Sequence, residues 1–103
     1  MFGRKRRRAE PRAAALDAAG AVLAEAPLMD FPIPDAAVVA LSVEFFNDPE
    51  PCEIHRGAVR WRVLQAMKEA SGGRTVPVEA LDPAIRRALP EGCAAVRVWE
   101  AEA

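Results

Sequence analysis

The sequence predicts a small single domain of the α+β class, mainly helical with two or three short strands, behind a basic, disordered N-terminal tail. Three observations carry that prediction. Residues 52–71 keep a helical period up to the stop signal Gly72-Gly73. Residues 93–99 alternate Val96 and Val98 with Arg97 and Trp99 after the turn signal Pro90-Glu91-Gly92. The chain is 103 residues, 51% apolar and 28% charged, which is room for one core and the composition of a globular domain.

From the N-terminus, residues 1–10 read as a flexible basic tail with five consecutive cations, Arg4, Lys5, Arg6, Arg7 and Arg8. Residues 1–12 hold six basic groups against Glu10 alone, and the other 91 hold eight basic and fourteen acidic groups. The net charge of −1 therefore hides a tail of +5 on a body of −6. Residues 11–26 predict an alanine-rich helix, with Pro11 suited to its first position and Pro27 ending it. Its apolar stripe, Leu16, Val22 and Leu23, is thin, so it needs a surface to dock on.

Residues 27–35 form a proline-rich connector, and 36–100 the compact α+β domain. Leu28, Met29, Phe31 and Ile33 are too apolar for a free linker, so several of them are expected against the body or a partner. Residues 36–46 read either as a helix, with Val38, Leu41 and Phe45 on one face, or as a strand. Pro34-Asp35, with Asp35 as cap, favours the helix. Asn47-Asp48-Pro49-Glu50-Pro51 breaks the chain.

At 100° per residue, the helix over 52–71 carries two apolar stripes. One is Val59, Val63, Ala66, Met67 and Ala70; the other, on a different side, is Ile54, Ala58 and Trp61. Such a helix lies between two layers, or covers its own core and meets a second molecule. The rival reading is a strand over 58–63, AVRWRV, which echoes AVRVWE at 95–100. Beyond it, Pro77 limits a strand over 74–79 to a sheet edge, and Asp82-Pro83 starts a short helix over 84–89. The strand over 93–99 must pair with 74–79, with 38–46 or with another chain.

The function classes narrow in the same way. Two cysteines, Cys52 and Cys93, are too few for a disulfide framework. No apolar run reaches the roughly 20 residues of a membrane span, and the weakly hydrophobic alanine stretch with Asp17 does not make a signal peptide. The expected location is cytoplasmic, or nuclear in a eukaryotic host through the basic run. One histidine, no tyrosine, no G-x-S-x-G and no phosphate loop leave no catalytic constellation, so no enzyme and no cofactor are expected. Cys52 and His55 form a C-x-x-H pair with Asp48 and Glu53 nearby, but one pair and a distant Cys93 do not make a zinc framework, and no metal is assigned. A helix-turn-helix over 75–89, with Arg86 and Arg87 on its second helix and 93–99 as a wing, is opposed by Pro77, Pro83 and the acidic neighbours Glu79, Asp82 and Glu91.

Trp61 and Trp99 are expected to anchor the core, with an interface as the other reading. The resulting expectation is a non-enzymatic accessory or adaptor protein that binds another protein or itself, with Ile54, Arg60, Trp61 and Arg62 as the contact residues. The alternative is a nucleic-acid-binding accessory acting through residues 4–8 alone, since the acidic body repels phosphate.

Overall fold

A computed structural model describes residues 9–102. Its elements are strands β1 (Ala9–Leu16) and β2 (Val22–Pro27), a 3₁₀ turn at Leu28–Asp30, helices α1 (Asp35–Phe46) and α2 (Glu53–Ser71), strand β3 (Thr75–Pro77), a second 3₁₀ turn at Val78–Ala80, the one-turn helix α3 (Pro83–Arg86) and strand β4 (Ala95–Glu102). The strands form one antiparallel sheet in the order β2-β1-β4-β3. The class is α+β as expected, but with four strands, two of them eight residues long.

The largest departure is at residues 11–26, where the expected helix is a β-hairpin. Asp17 decides the matter locally: its Oδ1 accepts from the N–H groups of Ala19 (2.9 Å) and Ala21 (2.8 Å). Gly20 then takes φ +87°, which closes the turn at little cost because glycine has no Cβ. Helix propensity favours alanine in isolation, yet Ala13 and Ala15 are fully buried on the sheet face under the helices, opposite Val98 and Val96 of β4. Small side chains there let that layer approach closely, and tertiary packing overrides propensity. Pro11 is tolerated because β1 has only β4 beside it at that point; pairing with β2 starts at Arg12.

The α+β fold therefore includes residues upstream of 36, and residues 9 and 10, expected in the tail, belong to β1. Residues 1–8 of the expected tail lie outside the described residues.

Elsewhere the expectations and the fold meet more closely. Residues 36–46 are helical, although Pro34 is the N-cap and Asp35, expected as the cap, stands inside the first turn and pairs with Arg56 of α2. In the connector, Leu28 and Phe31 are buried, whereas Met29 is exposed. Gly72 ends α2 in the left-handed region, its N–H donating to the Lys68 carbonyl at 3.0 Å. Pro77 lies in edge strand β3. Asp82 caps α3 by accepting from the Ala84 N–H at 2.9 Å, but the helix stops at Arg86 rather than continuing to residue 89. Residues 58–63 are helical, not a strand.

The core sits between one face of the sheet and the helices. Ala13, Ala15, Val96 and Val98 meet Val59, Val63, Leu64 and Met67 of α2, and α1 adds Val38 and Leu41. Ser71 joins the end of α2 to the sheet. Where β3 no longer covers β4, the Val98 N–H donates to Ser71 Oγ at 2.8 Å, and the hydroxyl donates to the Arg74 carbonyl at 2.5 Å. Among the described residues, the opposite face of the sheet has no helix on it: Arg12 pairs with Glu25 at 3.5 Å, and the Arg97 guanidinium lies 4.7 Å from the centre of the Trp99 ring. Among the described residues, no helix is long and apolar enough to cross a membrane.

Candidate functional site

Two features stand out, both on α2. The first is its outer face. Val59, Val63 and Met67 are fully buried on one side of the helix, while Ile54 is 79% and Trp61 58% exposed on the other. Seven residues are close to two turns, so Ile54 and Trp61 are aligned along the axis. Gly57 and Ala58 lie between them, and a Cβ added at Gly57 meets nothing within 4 Å. The face is thus two large apolar side chains flanking a low centre. The expectation that Trp61 anchors the core does not hold, because the core side of α2 is filled by valine, leucine and methionine. Trp99 is half-buried on the outer face of the sheet.

The four residues singled out in the sequence are not equivalent. Ile54 and Trp61 point outward, but Arg60 and Arg62 are held within the chain. Arg60 donates to the carbonyls of Met29 (2.6 Å) and Phe31 (3.1 Å), tying the connector to α2. Those carbonyls belong to an irregular segment, so the guanidinium satisfies backbone groups that neither helix nor sheet serves. Arg62 lies over the Phe45 ring at 3.8 Å from its centre, which clamps α1 to α2.

The helix-turn-helix reading fails on similar grounds. Arg86 Nε donates to the carbonyls of Val78 and Leu81, both at 3.0 Å, Arg87 pairs with Glu44 at 3.3 Å, and β4 is an interior strand rather than a wing. The cations expected to meet nucleic acid, Arg4, Lys5, Arg6, Arg7 and Arg8, lie outside the described residues.

The second feature is a donor cluster at the start of α2. Asn47 ends α1 in the left-handed region (φ 55°), and its N–H and that of Asp48 donate back to the Val43 (2.8 Å) and Ser42 (3.2 Å) carbonyls. This reversal carries the Asp48 carboxylate over the first turn of α2. There the His55 Nδ1–H donates to Asp48 Oδ2 at 2.7 Å, while Asp48 Oδ1 accepts from the Glu50 N–H at 3.1 Å. The His55 hydrogen bond, with the Glu50 N–H behind it, holds the Asp48 carboxyl below the ordinary aspartate value of 3.8. The His55 ring is stacked on Phe46, 4.4 Å between centres and 4° from parallel, which fixes its orientation. Cys52, exposed at the N-cap, completes the group: one donor atom each from Asp48, Cys52 and His55 lie within 4.8 Å of one another. The C-x-x-H spacing in the sequence marked two of these. The third, Asp48, comes from the turn at Asn47.

Comparison with protein-family models, with curated proteins and with solved structures gave no match to this chain.

Proposed function

We propose that this chain is a small non-enzymatic assembly module that associates through the outer face of α2. The observation that supports this most is the exposure of Ile54 and Trp61 on a rigid helix whose opposite side is already saturated by the core. An exposed tryptophan and isoleucine on one line have no role in the packing of this domain, and tryptophan is the residue type most enriched at the centres of protein contacts.

The occupant that fits this face is a second copy of α2, antiparallel, about a twofold axis midway between Gly57 and Ala58. That axis sets Ile54 of each copy against Trp61 of the other, because both lie the same distance from it along the helix. It gathers Gly57 and Ala58 of both copies around the axis, where the backbones approach most closely. The face is self-complementary, as an isologous contact requires. One helix pair buries less than the roughly 1,200 Å² that marks the lower limit of stable complexes, so the dimer is weak and its population depends on concentration.

Light scattering coupled to size exclusion, with sedimentation over a range of concentrations, tests the reading. The expected result is a monomer–dimer equilibrium that Trp61→Ala weakens at least about 30-fold, the factor equivalent to a hot-spot loss of about 2 kcal/mol. Gly57→Leu, which fills the low centre where a side chain meets nothing in the monomer, weakens it too. A monomer at every concentration, unaltered by these changes, would mean that the face serves another purpose.

A further inference from the structure

We infer that Asp48, Cys52 and His55 form a binding site for a zinc-like transition-metal ion, a function that does not depend on the dimer. The donor set is a carboxylate oxygen, a thiol sulfur and an imidazole nitrogen, gathered within 4.8 Å at the junction of the 47–52 turn and α2. A thiolate with an imidazole selects a borderline ion such as Zn²⁺ and disfavours Mg²⁺ or Ca²⁺, which take all-oxygen shells.

Zinc bonds of about 2.0–2.3 Å place tetrahedral donors about 3.3–3.7 Å apart. The Asp48 Oδ2 to His55 Nδ1 distance of 2.7 Å must therefore open by under about 1 Å, and the Cys52 sulfur, within 4.8 Å of the other donors, must close by at most about 1.5 Å. The movements lie in the exposed Cys52 and the half-buried Asp48 and His55 side chains at the end of a turn. His55 needs little reorganisation, because stacking on Phe46 already holds its ring plane.

The exchange is balanced without any redox partner. The thiol of Cys52 gives up its proton to solvent as the sulfur–metal bond forms. The imidazole remains neutral, its proton moving from Nδ1 to Nε2. Thiolate and carboxylate together neutralise the dication. Three protein ligands leave a fourth position open toward solvent beside the exposed Cys52, the arrangement of a site that accepts water or a donor from another molecule.

The test is titration of the chelator-treated full chain with Co²⁺ and with Zn²⁺. We expect one Co²⁺ per chain with a thiolate-to-metal charge-transfer band, and Zn²⁺ displacing it. Cys52→Ser abolishes the band and Cys93→Ser leaves it intact. Asp48→Asn and His55→Gln weaken Zn²⁺ binding at least about tenfold, the scale observed when even a group supporting a ligand is lost. Far-ultraviolet circular dichroism of each variant separates lost binding from lost folding. Trp61→Glu keeps the band, so failure of the dimer and failure of the metal site are read separately. Absence of the band in the wild-type chain, or the same band and Zn²⁺ affinity in Cys52→Ser, overturns the site.

Discussion

AVRWRV at 58–63 and AVRVWE at 95–100 are nearly the same six residues, yet the first is two turns of α2 and the second is an interior strand of the sheet. In the helix the two valines, Val59 and Val63, are four apart and fall on the core side, while Trp61 between them is thrown to the opposite side and exposed. In the strand the valines, Val96 and Val98, are two apart and again face the core, and Trp99 follows Arg97 onto the outer face, where the two stack. Both frames bury their valines. They differ in what they do with tryptophan: the strand covers it with its own arginine, and the helix leaves it exposed. Frame is set outside the hexapeptides, by Gln65 to Ser71 and Gly72 in one case and by Pro90-Glu91-Gly92 in the other.

The most severe way to break this comparison is a charge on the shared valine positions. Val59→Asp and Val96→Asp each place an unpaired carboxylate in a fully buried site, and each is expected to cost more than about 4 kcal/mol, enough to unfold a domain of this size. Trp61→Glu, in the same hexapeptide as Val59, is expected to change unfolding free energy by less than about 0.5 kcal/mol. Chemical denaturation followed by circular dichroism, at a protein concentration below dimer formation, checks all three. A Trp61→Glu variant that unfolds would show that the outer face of α2 is part of the fold.

Next in size is the hairpin that holds β4 in the sheet interior. β1 is the eight-residue partner of β4, so loosening the turn at Asp17–Gly20 removes support from the second hexapeptide and leaves the first untouched. Asp17→Ala deprives two backbone N–H groups of their acceptor, an expected loss of about 1–2 kcal/mol. Gly20→Ala is expected to cost about 1 kcal/mol from the positive φ alone, as its Cβ would meet nothing. Hydrogen exchange should show the amides of β1 and β4 opening before those of α2; uniform opening would contradict the division.

These elements also mark what could be read in advance. The two stripes of α2, its glycine stop, the edge position of Pro77 and the Asp82-Pro83 start depend on residues close together in sequence, and all were legible. The hairpin was not, because alanine's intrinsic preference pointed one way and burial against Val96 and Val98, eighty residues later, pointed the other. Its local mark was the spacing of Asp17 and Gly20, an acceptor followed by a residue free to take positive φ. At the candidate site, helical geometry set Ile54 and Trp61 on a different side from Val59 and Val63, but the exposure of Trp61, expected in the core, was not legible. Nor was the occupation of Arg60, since its acceptors are carbonyls of an irregular segment some thirty residues upstream. Asp48 was visible beside the Cys52–His55 pair in sequence, and the left-handed reversal at Asn47 supplies its contact with His55.

A smaller effect separates the two tryptophans. Arg97→Ala removes the cation from the Trp99 ring, and an exposed pair of this kind contributes about 0.5–1 kcal/mol. In a Trp61→Phe background, where Trp99 is the only indole, Arg97→Ala should shift the emission of Trp99 to longer wavelength as water reaches the ring. In the reciprocal Trp99→Phe chain, the emission of Trp61 should already be red at high dilution, and should move to shorter wavelength as the dimer forms. Identical spectra for the two single-tryptophan chains would erase the distinction between a covered and an uncovered indole.

The smallest effect uses the two cysteines, each of which stands just upstream of one hexapeptide. Cys52 is exposed at the start of α2, whereas Cys93 is half-buried before β4, with its Sγ–H donating to the Ala95 carbonyl at 3.3 Å. Burial raises the Cys93 thiol above its ordinary value of 9.0, outweighing the hydrogen bonds that act in the other direction. The folded chain therefore keeps this proton at a pH where the unfolded chain has released it. Between the two values the native state binds more protons than the unfolded state, so stability falls as pH rises through that window and is unaffected by Cys93 below it. In chelator-treated protein, a thiol reagent should modify Cys52 first at every pH up to about 9, with Cys93 lagging until β4 opens. Cys93→Ser should flatten the alkaline decline in stability, and Cys52→Ser should leave it unchanged. If the two thiols react together, the segment leading into β4 is no better protected than the start of α2, and the two frames differ only in their tryptophans.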